Sequence, residues 1–542
     1  MAIARPPRPE IRIAADPAEV AGAIGRLHAA DGHGASVQMR ETHISWVFLA
    51  GERAYKLKKP LVLDFVDYGT AVRRAEMCRE EMRLNRRLAP HLYLGVRSIV
   101  RSGEGLQITD DDDPAAIDHL VEMKRYDEDQ TLASALGRDQ VAAAELVKLA
   151  ETLARFHLDS AVAIEPHGAA RVRREIEHNL AELTHEQPAD EDQNRVDRVG
   201  RFLRAFVRGH AAALDERGAR GAVREGHGDL RAEHVVLRPV LSVVDCVEFD
   251  AQLRTIDVAD DLAFLLMDLA LRDAEGAARA LIDAYRGAGG DCGDDALLWF
   301  YAAHRALVRT KVALVRARQT ATTTADSPAV ASARALLALA ERLVWRARGP
   351  LVLILCGLPA SGKSHVAAEL AGTARVPVIS SDVTRKEIAG VPVRSRAPAA
   401  AYTPSFSERT YAELADRTAR ALGDAPCVLV DATFRHRRDR ESFARRLGAG
   451  RPAIFVECLA PQSVRDERAR AREHDTARIS DATAEVVAAT HGSWEPLDEV
   501  PAETHVVLRT DRPVQIVIDE LIALLDERLS AGRKHRSAAS GQ

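Results

Sequence analysis

The chain has 542 residues with a formal net charge of −5, and 46% of them are hydrophobic and 29% charged. This length predicts two to four domains with cores of their own, and the composition is typical of a globular protein. The net negative charge excludes an overall basic excess that would hold nucleic acid non-specifically. It does not exclude a local basic groove.

The N-terminus and the cysteines predict a cytoplasmic protein. Residues 1–10 carry prolines and arginines without the apolar core of a signal peptide, and no apolar run approaches the roughly 20 residues of a membrane span. The six cysteines lie far apart, without a Cys-x-x-Cys pair, and several fall in apolar runs. We therefore expect reduced core thiols rather than disulfides or a metal site, and no membrane or obligate nucleic acid partner.

In chain order, a leader of residues 1–35 with one short helix precedes a region rich in strand patterns. A hairpin within 44–57, a helix over 71–88 and three further strands before residue 126 give way to long helical patterns. These continue to about residue 345, where we place the end of a first domain, 36–345. A second domain is predicted at 350–528, followed by a disordered tail, 529–542.

Four residues of the first domain follow the order of the catalytic groups of protein kinases. Lys56 lies in a predicted strand, Glu81 in a predicted helix, Asp229 in the segment His227-Gly-Asp, and Asp245 at the end of an apolar strand. In kinases the lysine contacts the nucleotide phosphates, the glutamate orients it, one aspartate accepts the acceptor proton and the other holds metal. A plain turn and a surface lysine are the alternative.

On these residues, positions 35–340 resemble the aminoglycoside phosphotransferase family. The resemblance implies a bilobal protein-kinase-like α+β fold in which Lys56, oriented by Glu81, pairs the phosphates. It also implies that Asp229 accepts the proton, that Asp245 binds Mg²⁺, and that the hinge around Met123 contacts adenine.

The chain departs from that family at two places. The family has an asparagine as second metal ligand where this chain has His234, and imidazole is a poor substitute for oxygen on Mg²⁺. No glycine-rich loop precedes Lys56. The first domain is therefore open to two interpretations, a phosphotransferase or a nucleotide-binding regulatory pseudokinase.

The second domain is organised around one loop, which consists of Gly357, Leu358, Pro359, Ala360, Ser361, Gly362, Lys363 and Ser364. An apolar strand precedes it and a helical pattern follows, which is the setting of a phosphate-binding loop. Main-chain N–H groups and the helix N-terminus attract phosphate oxygens there, while Lys363 reaches the β- and γ-phosphates and Ser364 contacts Mg²⁺. We therefore predict ATP and Mg²⁺ as cofactors, on a parallel α/β sheet formed by the alternating strands and helices.

Two carboxylates and an arginine complete the predicted transfer site. Asp431 ends an apolar strand, where a carboxylate commonly holds the Mg²⁺ shell, and Ala432 replaces the glutamate of a mechanical ATPase. Asp382 follows another strand and is placed to accept a hydroxyl proton, with Arg385 one turn further to hold an anionic acceptor. The alternatives are a helix cap at Asp382 and a turn residue at Asp431.

Arg468 and Arg472 share one face of a predicted helix. They are predicted to close over the transferring phosphoryl group, and a solvated charged face is the alternative.

Residues 350–525 resemble the small P-loop kinases labelled AAA-domain kinases, which are relatives of polynucleotide 5′-hydroxyl kinases, gluconate-type kinases and zeta-type toxins. The loop, Ser380–Arg385, Val430–Phe434 and Glu467–Arg472 carry the resemblance. It implies an ATP-dependent kinase that acts on an alcohol group. The acceptor stays open between a small molecule and a polynucleotide 5′-hydroxyl, for which the basic runs 394–396 and 435–438 would line a groove. A nucleotide-gated regulatory module is the alternative from another class.

Overall fold

The structure is a computed structural model that describes residues 15–30, 36–63, 66–103, 105–164, 168–186, 189–319, 327–448, 450–471, 479–481 and 484–531. The chain forms two compact units. The first unit contains Met1–His167 and Glu216–Gly293, and the second unit contains Gly168–Asp215 and Asp294–Gln542. Each unit is therefore assembled from two separate stretches of sequence.

The strands are β1 (Gln38–Glu41), β2 (Ser45–Ala50), β3 (Arg53–Lys58), β4 (Val62–Leu63), β5 (Val66–Asp67), β6 (Tyr93–Ser102), β7 (Gly105–Asp110), β8 (Ala116–Lys124), β9 (Val223–Glu225), β10 (Val235–Val236), β11 (Ser242–Val243), β12 (Thr255–Asp257), β13 (Leu351–Cys356), β14 (Val378–Ser380), β15 (Cys427–Asp431), β16 (Ala453–Leu459) and β17 (His505–Arg509). The helices are α1 (Pro17–Ala30), α2 (Ala71–Asn85), α3 (Leu132–Gly137), α4 (Ala143–Asp159), α5 (Ala169–His185), α6 (Asp190–Gly209), α7 (Ala211–Ala219), α8 (Ala251–Arg254), α9 (Val258–Leu271), α10 (Glu275–Gly287), α11 (Asp295–Gln319), α12 (Pro328–Arg348), α13 (Lys363–Ala374), α14 (Ser381–Ile388), α15 (Pro404–Asp424), α16 (Arg437–Leu447), α17 (Gln462–Ala471), α18 (Ala484–Thr490) and α19 (Val514–Ala531).

The first unit is built on a six-stranded antiparallel sheet with the strand order β1-β2-β3-β8-β6-β7. Helix α1, the helix predicted within the leader, buries Val20 and Ile24 against the sheet residues Phe48 and Leu120. Helix α2 begins at Thr70, whose side chain caps it, and packs on β8. A helical part with α4, α9 and α10 follows, which confirms the protein-kinase-like fold.

The second unit is built on a five-stranded parallel sheet with the order β14-β15-β13-β16-β17. Every residue of the central strand β13 is buried, as expected when helices cover both faces of a parallel sheet. Leu353 and Leu355 face one core, and Val352 and Ile354 face the other. This arrangement confirms the predicted P-loop α/β fold.

Helices α5, α6, α11 and α12 belong to the second unit, although they precede its sheet in the sequence. Helix α6 packs on α19, and Arg348 at the end of α12 donates to Asp526 of α19 at 2.5 Å. The same guanidinium lies over the rings of Phe202 and Trp345. The domain boundary placed between 345 and 350 stays a prediction, and the two compact units do not follow it.

Among the described residues, no helix combines the length and the apolar character needed to cross a bilayer. All six cysteines are free and buried, which agrees with the expected reduced thiols.

The Arg348–Asp526 pair generates a stability prediction. Because the two side chains are only 5% and 2% exposed, Asp526→Ala leaves a buried guanidinium without its carboxylate and should cost the second unit about 3–5 kcal/mol. The measurement is the denaturant midpoint of the full-length protein. Asp511→Ala, which removes the carboxylate paired with Arg509, a side chain that is 64% exposed, is the control and should change the midpoint little. Equal shifts for the two variants would contradict the role of the buried pair.

Candidate active site

The loop between β13 and α13 has the backbone of a phosphate nest. Gly357, Ala360 and Gly362 have φ angles of 137°, 63° and 94°. This alternation with right-handed residues turns successive N–H groups toward the inside of the loop. A Cβ on Gly357 would stand 2.5 Å from the carbonyl oxygen of Cys458, so glycine is required there.

Lys363, the first residue of α13, folds back over this loop. Its Nζ donates to the carbonyl oxygens of Gly357 and Leu358, at 3.0 Å each, and the residue is 8% exposed. The Ser361 hydroxyl is buried and has no hydrogen-bond partner among the described residues, whereas Ser364 is exposed at the start of the helix. A buried ammonium held by neutral carbonyls and an unpaired hydroxyl suit an anionic ligand such as a phosphate.

Asp431 and Asp382 lie at the same edge of the sheet as the loop. Asp431 pairs in register with Leu355 of β13 and with Ser380 of β14, and Asp382 lies two residues after the end of β14. Burial and the neighbouring charge of Asp431 raise the pKa of Asp382, while Lys363 partly opposes that shift. The structure therefore brings these two carboxylates and Lys363 together. The N-cap position of α14 is occupied by Ser380, whose side chain makes no capping hydrogen bond, and Asp382 lies inside the first turn.

Arg385 is buried on the same helix as Asp382. Its Nη1 donates to the carbonyl of Ala401 at 2.5 Å and to the hydroxyl of Ser407 at 3.2 Å, and its guanidinium lies over the ring of Tyr402. Its Nε has no partner among the described residues. Neutral groups thus hold this cation and leave one donor for a ligand.

Arg468 contacts the phosphate-binding loop. Its Nη2 donates to the carbonyl of Thr510 at 2.6 Å, and its Nη1 lies 3.5 Å from the carbonyl of Ala360. It lines a cavity of about 360 Å³ together with Gly362, His365, Val366, Thr510, Arg512, Pro513, Val514 and Val517. Arg472, the predicted companion of Arg468, lies outside the described residues.

The first unit assembles its predicted ion pairs. The Nζ of Lys56 lies 3.0 Å from Oε1 of Glu81 and 2.7 Å from Oδ1 of Asp245. Burial alone would lower the pKa of Lys56, but Asp245 and Glu81 raise it well above its ordinary value. Lys56 in turn holds the pKa of Asp245 well below its usual range.

Asp229 lies in a tightly held loop. The carboxylate of Asp261 accepts the backbone N–H groups of His227 and Gly228, at 2.6 and 2.9 Å. Both oxygens of Asp229 accept from Arg231, whose Nε and Nη2 each lie 2.9 Å away. Asp229, the expected proton acceptor, therefore already accepts hydrogen bonds from the guanidinium of Arg231 on both of its oxygens.

His234 offers a poor position for Mg²⁺. Its Nδ1 donates to the carbonyl of Asp229 at 2.8 Å, and its Nε2 accepts from Arg231 at 2.9 Å while lying 3.8 Å from Oδ2 of Asp245. Burial and the charge of Arg231 lower the pKa of His234 to about 4. A nitrogen that already accepts a hydrogen bond from a guanidinium does not fit an ion that prefers oxygen ligands. No cluster of three or more metal-binding side chains gathers among the described residues.

Met123 lies in β8, the strand between β3 and β6, and packs in the core with 9% of its surface exposed. The chain leaves the sheet after Lys124. Paired strands enclose Met123 on both sides. The contact of its hinge with adenine stays a prediction.

Sequence reasoning missed Lys58 and its partner Glu248. The Nζ of Lys58 donates to Oε2 of Glu81 at 2.7 Å and also to Glu248, and it lies 3.4 Å from the hydroxyl of Tyr68. Burial disfavours the charge on Lys58, but Glu248 and Glu81 raise its pKa well above the ordinary value. The available signal was strand periodicity, because residues 56 and 58 lie on one face of β3.

Known proteins resemble this chain at several levels. The family model described as an AAA domain matches residues 352–497. Uncharacterized protein Rv2004c of Mycobacterium tuberculosis and uncharacterized protein Mb2027c of Mycobacterium bovis are each 33% identical over 467 residues, which cover 84% of this chain and 89% of theirs.

Solved structures also resemble parts of the chain. A choline/ethanolamine kinase family protein from Mesorhizobium loti is 14% identical with a TM-score of 0.36, covering 60% of this chain and 94% of that one. A gluconokinase from Sinorhizobium meliloti is 21% identical with a TM-score of 0.27, covering 35% of this chain and 99% of that one.

The raised pKa of Asp382 generates a pH prediction. Because this carboxyl binds its proton more tightly in the folded protein, its contribution to stability is fully present below the unfolded pKa and is lost as the pH rises through the folded pKa. Asp382→Asn should therefore raise the melting temperature by a few degrees at pH 7, with a smaller gain near pH 4. Thermal melts across this range provide the measurement.

Asp481→Asn is the matched control in the same unit. Burial alone would raise the pKa of Asp481, but hydrogen bonds from Tyr402, the Ala397 N–H and Lys386 lower it. This carboxylate contributes stability above its unfolded pKa that is lost as the pH falls, so the variant should melt lower at pH 7. A loss of stability in Asp382→Asn at pH 7 would contradict the raised pKa of that carboxyl.

Proposed function

We propose that this chain, which belongs to the family of the uncharacterized mycobacterial proteins Rv2004c and Mb2027c, is an ATP-dependent phosphotransferase with its transfer site in the second unit. The observation that carries the proposal is the meeting of Asp382, Asp431 and Lys363 at one edge of the sheet. Phosphoryl transfer needs a phosphate cradle, charge neutralisation and a group that accepts the hydroxyl proton, and these three side chains and the loop supply them.

The proposed reaction uses the residues as follows. The N–H groups of the loop and the ammonium of Lys363 bind the β- and γ-phosphates, and Lys363 leaves its two carbonyl partners to do so. An acceptor hydroxyl attacks the γ-phosphorus, its proton passes to the carboxylate of Asp382, and ADP leaves. A raised pKa suits this carboxylate, because it increases its affinity for the proton it receives.

Mg²⁺ fits the oxygen donors of this unit. The exposed hydroxyl of Ser364 and the carboxylate of Asp431 lie beside the loop, and Mg²⁺ prefers such oxygen ligands. When bound, the ion would neutralise charge on the phosphates.

The cavity beside the loop is proposed to receive the nucleobase. It opens next to Gly362 at the start of α13, and Val366, Val514 and Val517 give it apolar walls. Arg468 can stack on a flat base there, as guanidinium groups do on aromatic faces.

The acceptor is proposed to be a small anionic alcohol. Arg385 is a buried cation held by neutral groups, and its Nε still has a free donor among the described residues. An anionic group on the acceptor would bind this donor and add to the partial compensation that the carboxylate of Asp382 gives to Arg385.

A polynucleotide acceptor finds less support. Within the run 435–438, His436 pairs with Glu495, Arg437 with Glu441, and Arg438 with Asp439. Neutralised side chains add little to a phosphate-binding groove.

The first unit is proposed to bind nucleotide in a regulatory role, as the second candidate function. Arg231 engages both oxygens of Asp229 and the Nε2 of His234, which disfavours transfer there. Lys56, which Glu81 orients, remains arranged to contact phosphates.

The proposed function is tested in the full-length protein with γ-labelled ATP and three acceptor sets: anionic alcohols, neutral polyols and 5′-hydroxyl oligonucleotides. Asp382→Asn should lower the transfer rate about 10²–10⁴-fold with little change in nucleotide affinity, and Lys363→Ala should lower it at least about 10²-fold. Asp439→Asn on α16 is the control, since burial raises the pKa of that carboxyl as well. The transfer activity would belong to the first unit if Lys363→Ala transferred phosphate at the wild-type rate and Asp229→Asn abolished transfer.

The cavity generates a separate prediction. Val514→Trp should fill it and raise the KM for ATP about tenfold, because overpacking a site costs on the order of 1–3 kcal/mol. The kcat should change little, since no reacting group is touched. Ile516→Trp places the same ring two residues away on a side chain that is 51% exposed, and it should leave KM unchanged. An unchanged KM in Val514→Trp would exclude the cavity as the nucleobase site.

A further inference from the structure

Five charged side chains of the first unit form one line of contacts with alternating sign. The order is Asp245, Lys56, Glu81, Lys58 and Glu248. Glu81 stands at the centre and gives one oxygen to each lysine, Oε1 to Lys56 and Oε2 to Lys58. The line therefore contains a second lysine that the kinase constellation does not require.

The two ends of this line differ in exposure. Asp245 is 48% exposed and Lys56 is 14% exposed, so both can meet a ligand. Lys58 is fully buried and Glu248 is 5% exposed, and the hydroxyl of Tyr68 donates to Glu248 at 2.5 Å. Lys58 consequently has no ligand to move to and stays with its two carboxylates.

This difference matters when Lys56 engages an anion. Lys56 would then share its charge with phosphate oxygens, and a buried Glu81 that relied on it alone would lose much of its compensation. Lys58 keeps Glu81 paired whatever Lys56 does. Three segments are joined in this way, because Lys58 lies on β3, Glu81 on α2, and Glu248 in the segment that follows Asp245.

We propose that Lys58 is a positioning residue that holds Glu81, and with it helix α2, independently of Lys56. The site of the first unit is then assembled before a nucleotide arrives, and α2 lacks the outward swing by which kinases with a single lysine–glutamate pair are switched. This inference rests on the proposed function only where it expects the first unit to bind a nucleotide.

The test uses the full-length protein with Lys363→Ala, so that nucleotide binding reports on the first unit. Lys58→Met alone leaves Glu248 buried without a cation, so the informative variant is Lys58→Met combined with Glu248→Gln. Hydrogen–deuterium exchange of residues 71–85, without nucleotide, should be about tenfold faster in this double variant than in the parent, since a hydrogen bond to a charged group is lost. The affinity for a fluorescent ATP analogue should fall about tenfold.

Three further variants separate positioning from simple support of the fold. Lys59→Met alters the next residue, which binds Glu41 and the carbonyl of Thr42 instead, and should leave exchange in 71–85 unchanged. Glu81→Gln keeps the Lys58–Glu248 pair intact and should loosen α2, because it weakens the contacts of both lysines. Lys56→Met removes only the contact of Lys56 and should leave exchange in 71–85 unchanged, so the comparison of these two variants decides the matter even if the double variant fails to fold.

Each outcome is decisive. Unchanged exchange in 71–85 for both the double variant and Glu81→Gln would make Lys58 a counter-ion of Glu248 alone and overturn the proposal. If exchange is faster in the variants and the Lys363→Ala parent binds no nucleotide, the positioning role is supported and the nucleotide site of the first unit is rejected. Faster exchange with unchanged affinity would overturn the inference that the hold of Lys58 on α2 prepares the site for a nucleotide.

Discussion

The ammonium group of Lys363, held against two main-chain carbonyls, is the constraint on which the second unit depends. A buried cation with such weak partners is stable only where carboxylates stand close by or an anion completes its shell. The parallel sheet provides the carboxylates, because the ends of β14 and β15 meet beside the loop and bring Asp382 and Asp431 there. The strain this creates is visible in the raised pKa of Asp382.

The two units balance their charges in opposite ways. In the first unit the cations are already matched by carboxylates: Lys56 lies on Asp245 and Arg231 lies on Asp229. In the second unit Lys363 and Arg385 rest largely on carbonyls, a hydroxyl and an aromatic ring. Anions are therefore attracted more strongly to the second unit, while the first must exchange internal pairs before it accepts one. This contrast is the physical ground on which we propose transfer for the second unit and regulation for the first.

Local patterns in the sequence predict the parts of the site that local rules determine. The phosphate loop is a contiguous motif, and Asp382 and Asp431 follow from the rule that ligand groups lie at strand ends of a parallel sheet. Interactions between distant segments escaped prediction. The pairing of Lys58 with Glu248 and the hold of Arg231 on Asp229 depend on how loops meet, which periodicity does not encode. The cavity residues Thr510 and Val514 were missed for the same reason.

The packing partners of the helices could not be predicted from the sequence either. An amphipathic pattern shows which face of α6 or α12 is apolar but not which surface covers it, and the structure places both helices with the second unit. During synthesis, the apolar face of α6 leaves the ribosome well before its partner α19 has been translated. At roughly 5–20 residues per second, that interval lasts tens of seconds. The nascent chain must keep this helix sheltered or unformed until α19 emerges, so the second unit cannot complete its packing during that interval.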